Sequence, residues 1–354
     1  MLVLQVNIKT IRNNINVLRT AFKKNLIFVV KADCYGHGLE VATNVEDVVS
    51  MFAVGTTEEA ITLANITRSV PILVLYPVRA DSLSAMVAKQ LNRLQFTVVN
   101  DKELEELERL SANTGTRIGI HILVSDGNGR FEDNIGLLSK ILKRSISSTQ
   151  VDLIGLCLHT AEIPERHWSG LLERLGSSIP KSLLIHIGGS DLAEFDWNQS
   201  HALRVGLLPL GLVKPQSNIW SSGIDEIRPA ARLTCNVLRC ITWRPNRPIG
   251  YSTSKIKKCE LVAIIDCGFA HGIPLRFFES CSVLVGNLEY QLWPAPWMQQ
   301  SAIFLKDEAV TIGEEVELFG ESLPVYVQAD KCGVPIEYLT TCLKSSCVRM
   351  VNCV

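Results

Sequence analysis

The chain has no run of basic residues and almost no net charge, with 35 Lys and Arg against 36 Asp and Glu. Nucleic acids and anionic membranes attract concentrated positive surfaces, so neither is expected as a partner. No apolar run approaches the roughly 20 residues needed to span a bilayer. Met1 to Asn7 has neither the positive region nor the cleavage pattern of an export signal, so the protein is expected in the cytoplasm. CxxC pairs are absent too. The closest cysteine spacings, Cys235/Cys240 and Cys342/Cys347, leave four residues between partners, which builds no zinc site on a strand or helix. No metal is expected, and the eleven cysteines, nine of them from Cys235 onward, read as reduced and mostly buried thiols. With 47% hydrophobic and 20% charged residues, disorder, collagen and coiled coil are excluded. At about 150 residues per domain, a chain of 354 residues predicts two compact domains.

Ile8, Ile11, Ile15, Leu18 and Phe22 follow the three-and-four spacing of an amphipathic helix over residues 8–24. A short strand over residues 2–6 precedes it. Eight runs rich in Val, Ile and Leu follow, near 26–30, 51–55, 71–76, 95–99, 117–124, 153–159, 183–188 and 202–206. Helix-length segments such as 56–65, 101–114 and 163–176 lie between them. Near-continuous apolar strands alternating with helices require a parallel sheet buried on both faces, and eight of them close a (β/α)8 TIM barrel. The barrel is expected over residues 8–222, with a turn-rich boundary at Ser221-Ser222-Gly223. Residues 223–354 change to strand-like runs at 231–242, 259–266, 281–285, 315–319 and 323–327, a mainly β C-terminal domain.

In such a barrel the site forms at the C-terminal ends of the strands. The polar residues placed there are Lys31, Arg130, His159, Ser190 and Arg204. Lys31 directly follows Ile27-Phe28-Val29-Val30, so its amine stands at the barrel mouth, where desolvation lowers its pKa and frees it to form a Schiff base. From position alone it reads equally as a structural ion pair. Taken alone, His159 reads first as a satisfied core histidine, and Ser190 equally as a helix N-cap.

The stretch Val29-Val30-Lys31-Ala32-Asp33-Cys34-Tyr35-Gly36-His37-Gly38 closely resembles the pyridoxal-phosphate (PLP) lysine motif of the alanine racemase family, the fold type III PLP-dependent amino-acid racemases. Further resemblances follow in order: Leu203-Arg204-Val205-Gly206, Gly250-Tyr251-Ser252-Thr253, Gly268-Phe269-Ala270-His271-Gly272, and Ile312 to Gly320. The same two-domain layout is that family's architecture, with the N-terminal strand of residues 1–7 associated with the β domain. The resemblance implies PLP as cofactor, held by Lys31, which also serves as base on one face of the substrate α-carbon. Tyr251, from the β domain of a second subunit, would serve the opposite face, and two opposed bases allow racemisation. Arg204 would face the pyridine nitrogen and discourage its protonation, restraining transamination, with His159 hydrogen-bonded into the same network. Tyr35, Ser190 and the backbone amide of Leu207 beside Gly206 would hold the phosphate. Arg130 and the backbone of Met298 would bind the substrate carboxylate. His37 and Asp33 are expected behind the site. The partners implied are a small-molecule amino acid and a second copy of the chain, in a homodimer with shared active sites.

Several positions depart from the pattern. Leu123 stands where the family usually has a lysine whose carbamate orients the carboxylate-binding arginine, so Arg130 needs another partner, with chloride, Asp126 and Glu132 all open. Phe269 replaces a tyrosine on the substrate access path, His271 an aspartate, and Gln299 an aspartate after Met298. Near the C-terminus, direct alignment puts Glu337 at a phosphate-binding tyrosine. A carboxylate beside a phosphate is repulsive, so a one-residue shift that brings in Tyr338 is the expectation. The expected function is a two-base amino-acid racemase whose substrate range can differ from alanine. The alternatives are a PLP-dependent decarboxylase or other α-carbon enzyme of a specialised pathway, and an inactive PLP-binding protein.

Overall fold

The computed structural model describes residues 1–78, 89–125, 135–159, 170, 173, 179–188, 200–214, 224–251, 257, 260–305, 310–344 and 349–353. The expected helix at 163–176, apart from residues 170 and 173, and the boundary at 221–223 lie outside them.

The first helix, Ile8–Phe22, starts where Asn7 accepts a hydrogen bond from the Thr10 amide at 3.0 Å and ends at Lys23, which turns left-handed at φ 51°. It buries Ile8, Ile11, Ile15 and Leu18. Buried Asn14, on the same helix, ties it to two other segments. Its Nδ2 donates to the carbonyls of Pro209 and Arg228, and its Oδ1 accepts from the Arg228 amide.

Eight parallel strands form a closed barrel: β2 (Asn25–Val29), β3 (Met51–Val54), β4 (Ile72–Val74), β5 (Leu94–Val98), β6 (Ile118–Ser125), β7 (Val151–His159), β8 (Leu184–Gly188) and β9 (Ala202–Val205). The last strand pairs with the first, Leu26 opposite Leu203 and Ile27 opposite Arg204. Strands such as Met51–Val54 and Ile72–Val74 are buried throughout, which is why they read as unbroken apolar runs. Helices Thr57–Ile66 and Asp101–Thr114 stand where the sequence places them, capped by the side chains of Thr56 and Asn100.

The C-terminal region is a mainly antiparallel sheet. Its strands are β10 (Ala231–Trp243), β11 (Glu260–Ile265), β12 (Ser282–Val285), β13 (Leu288–Gln291), β14 (Ser301–Phe304), β15 (Glu315–Phe319) and β16 (Arg349–Cys353). The N-terminal strand β1 (Val3–Asn7) pairs antiparallel with β10 and parallel with β16. One expected strand is wrong: residues 323–327 open the helix Val325–Cys332. Pro324 caps it at φ −58°, and Val325, Gln328, Ala329 and Cys332 bury one face at helical spacing. Gln328 is buried because its Nε2 donates to the carbonyls of Ser282 and Leu318, both at 2.7 Å. β13 escaped the sequence reading because only Tyr290 of its four residues is buried.

Among the described residues no helix is long and apolar enough to cross a membrane, and no three metal-ligating side chains cluster. Cys34, Cys157, Cys235, Cys240, Cys267, Cys281, Cys332 and Cys342 are free.

Candidate active site

Lys31 begins immediately beyond β2, at the C-terminal end of the barrel strands. The chain then does something unusual for L-residues. Ala32, Asp33, Cys34 and Tyr35 all lie in the left-handed region, with φ between 51° and 53°, a conformation costing roughly 1–2 kcal/mol per residue. The turn is tied from several sides. The Ala32 amide donates to Glu59 Oε1 at 2.7 Å, the Leu39 amide to Asp33 Oδ1 at 2.8 Å, and the Cys34 amide to the Val30 carbonyl at 2.9 Å. Cys34 and His37 are buried beneath it, and burial lowers the His37 pKa to about 4. Lys31 and Tyr35 therefore stand on a turn whose backbone is held independently of either side chain.

Lys31 Nζ lies 5.9 Å from the centroid of the Tyr35 ring. Across from them, a Cβ on Gly206 would meet the Tyr35 hydroxyl at 2.5 Å, so the hydroxyl rests on bare backbone. Leu207–Leu210 begins a helical turn at that point, and the first amides of such a turn have no acceptor within it. Burial raises the Tyr35 pKa, helped by nearby Cys34 and Glu337, so the phenol stays protonated.

Arg204, in β9, is only 5% exposed. Its Nη1 donates to His186 Nδ1 at 2.6 Å and to the His186 carbonyl at 3.0 Å, and its Nη2 donates to the Leu158 carbonyl at 2.7 Å. Gly188 makes room for it, since a Cβ there would lie 2.7 Å from Nη2. His159 ends β7 one residue beyond Leu158, half-buried.

A primary amine, a phenol over bare backbone with open amides beside it, and a buried cation converge on one end of the barrel. This donor set fits the aldehyde, phosphate and ring nitrogen of PLP respectively. Arg130 and Ser190, expected to bind carboxylate and phosphate, lie outside the described residues.

At the C-terminal segment, Glu337 is the residue felt by Tyr35, whereas Tyr338 is 42% exposed and hydrogen-bonds with Cys342, which raises the tyrosine's pKa. Glu337 thus lies near enough to Tyr35 to act on it, and Tyr338 stands in the next position on the same turn. What holds this segment is backbone packing: a Cβ on Gly36 would lie 2.2 Å from the Thr340 carbonyl oxygen.

Tyr251 and Met298 sit on the β domain, 68% and 54% exposed. The Tyr251 and Phe269 rings lie 6.2 Å apart, and the Ala270 amide donates to the Met298 carbonyl at 2.7 Å. Tyr251 and Met298 are thus exposed, with Phe269 half-buried beside the tyrosine. The open groove near Arg19, Lys23, Lys24 and His201 lies at the opposite, N-terminal end of the strands and contains none of these groups.

Residues 6–213 match the family model described as alanine racemase, N-terminal domain, and residues 230–351 that of the alanine racemase C-terminal domain. The chain belongs to the alanine racemase family. Among curated members, the alanine racemase of Francisella philomiragia is 26% identical over 335 residues, covering 90% of each chain. That of Francisella tularensis subsp. mediasiatica is 24% identical over 336 residues and 89% of each. The fold agrees with alanine racemase structures from Clostridium difficile, in complex with cycloserine, and Bacillus anthracis, with bound L-Ala-P. Each has a TM-score of 0.86, with 21% and 22% identity, over 99% and 100% of this chain and 95% of theirs.

Within the family frame, the sequence reading missed Glu59, Gln95, His121 and His186. The signal for the two histidines was present, since each interrupts an otherwise apolar strand. Glu59 reads from sequence only as the third residue of a capping box.

Proposed function

We propose that this chain is a PLP-dependent amino-acid racemase that moves the substrate α-proton between two opposed bases, Lys31 and the Tyr251 of a second subunit. The observation that carries the reading is Lys31 on its left-handed turn at the same barrel end as buried Arg204. Bound PLP would supply an electron sink for the pair released when the α-proton leaves.

Lys31 Nζ holds the cofactor and exchanges a proton on one face. Tyr251 Oη exchanges a proton on the other. Its exposure and that of Met298 support a site completed across a dimer. The Tyr35 hydroxyl and the amides after Gly206 bind the phosphate together with Ser190 and orient the ring. Arg204 presents a fixed cation that keeps a proton off the nitrogen before it, which limits charge withdrawal and disfavours transamination and decarboxylation. Arg130 binds the substrate carboxylate and His159 supports the Arg204 network. Alanine is the first substrate to test, because the curated relatives carry that name.

The experiment is incubation of PLP-loaded protein with each amino acid in D2O, reading α-proton loss by NMR and optical purity by chiral chromatography. Exchange with racemisation is expected, abolished in Lys31→Ala and slowed roughly a hundredfold or more in Tyr251→Phe. Release of carbon dioxide or keto acid with retained optical purity overturns the reading.

A further inference from the structure

The hydrogen bonds that start at Arg204 continue across the interior of the barrel. His186 Nε2 lies 2.8 Å from His121 Nδ1, and His121 Nε2 lies 2.6 Å from Gln95 Oε1. The two imidazoles meet edge-on, with centroids 4.8 Å apart and planes at 76°.

The protons in this chain can be placed by elimination. A guanidinium only donates, so His186 Nδ1, 2.6 Å from Arg204 Nη1, carries no proton. The single proton of His186 then sits on Nε2 and is donated to His121 Nδ1. The proton of His121 is left on Nε2 and is donated to the Gln95 carbonyl oxygen. Both rings are neutral and share one tautomer, and every bond points away from Arg204. Protonating either ring would set two donors face to face. The charged or titratable side chains that act on these rings are Arg204 and each other, and Arg204 also acts on Cys157. Burial pushes the Cys157 thiol up and keeps it neutral. Burial, followed by Arg204, lowers the His121 pKa to about 3 and takes His186 well below its usual range.

The backbone is shaped around this chain. A Cβ on Gly155 would lie 2.7 Å from His121 Nδ1, and one on Gly119 would lie 3.0 Å from Gln95 Cγ. The β6–β7 register shifts between Ile120, opposite Leu153, and His121, opposite Gly155. That bulge brings the glycine to the histidine. The described partners of Arg204 are an imidazole nitrogen and two carbonyls, none of them anionic. A buried cation without a counter-ion needs aligned dipoles, and the two rings and the amide turn their negative ends towards it.

We propose that Gln95 and His121 are positioning residues that lock His186 as a hydrogen-bond acceptor and thereby hold Arg204 cationic and immobile beside the cofactor ring. The consequence for catalysis rests on the racemase reading, whereas the tautomers do not.

The test uses 15N-histidine NMR on the cofactor-free protein, with racemase kinetics on the loaded enzyme. In the wild type both rings are expected as the Nε2–H form, unchanged between about pH 6 and 9. Gln95→Glu keeps an acceptor, and is expected to keep the tautomers and a kcat within about twofold of wild type. Gln95→Lys presents a donor, so both rings reverse and His186 Nδ1–H confronts Arg204. Its kcat is expected to fall roughly tenfold to a hundredfold, as for loss of one charge-assisted hydrogen bond, with KM little changed. Gln95→Met provides a second test should the lysine variant not fold, with the two His121 tautomers mixed and an intermediate loss of kcat. Wild-type rings that titrate between about pH 6 and 8 overturn the proposal. So does a variant that turns over at the wild-type rate after its tautomers have changed. A wild type that shows the expected tautomers but racemises no amino acid overturns the proposed function and leaves the tautomer lock standing.

Discussion

Glu59 ties two separate segments together through backbone amides. Its Oε1 accepts from the Ala32 amide and its Oε2 from the amides of Gly55 and Thr56, joining a helix start to the left-handed turn that carries Lys31. Glu59→Ala leaves these donors unpaired and is expected to cost about 2–3 kcal/mol, read as a lowered urea midpoint, and to weaken PLP binding in a cofactor titration. Glu337 has the opposite effect. Lying near Tyr35, it places negative charge where the phosphate is proposed to bind, and Glu337→Gln is expected to tighten PLP roughly three- to tenfold. Lys31 and Arg204 could be singled out from sequence because one follows and the other interrupts an apolar strand, whereas Tyr35 was singled out only by the resemblance. Glu59 was not, since a capping box is a local pattern and its bond to Ala32 is tertiary. The packing of Gly36 against the Thr340 carbonyl, which fixes the backbone there, is likewise a contact between distant parts of the chain that no local pattern carries.

The first helix and the barrel strands were readable from periodicity, because burial on one or both faces leaves a pattern in side-chain polarity. Asn14 breaks that pattern on the helix Ile8–Phe22 for a reason sequence does not carry. It satisfies two carbonyls and an amide on other segments. Asn14→Leu is expected to destabilise by about 3 kcal/mol, measured by urea unfolding. The helix Val325–Cys332 was misread because its apolar start resembles a strand until Gln328 and Cys332 are known to share the buried face. The buried histidines also tie stability to pH. His37 and His121 have folded pKa values of about 4 and about 3, below the ordinary value of about 6.5 in the unfolded chain. The unfolded state therefore takes up these protons first as the pH falls. Their contribution is complete above about pH 6.5 and declines below it by about 1.4 kcal/mol per pH unit for each ring. Urea midpoints taken at about pH 7.5 and about pH 5 are expected to drop in the wild type and to drop less in His37→Gln.

At the scale of the molecule, the exposed Tyr251 and Met298, with half-buried Phe269 beside Tyr251, are proposed to complete the site of a second copy of the chain. Mixing Lys31→Ala and Tyr251→Phe proteins under conditions of subunit exchange is expected to restore about a quarter of wild-type activity, since half the dimers become mixed and each has one intact site. No recovery on mixing would place both bases in one chain. The alternation of strands and helices made the barrel legible as a whole, while the β domain was legible only as a change of pattern, because antiparallel pairing is set by contacts far apart in sequence. The strand Val3–Asn7 is the extreme case, flanked in its sheet by β10 and β16. On the ribosome this strand waits while every barrel strand between it and β10 is made. The nascent chain can close its barrel early, but this strand has no sheet partner until β10 has been translated and keeps one sticky edge open until β16 follows.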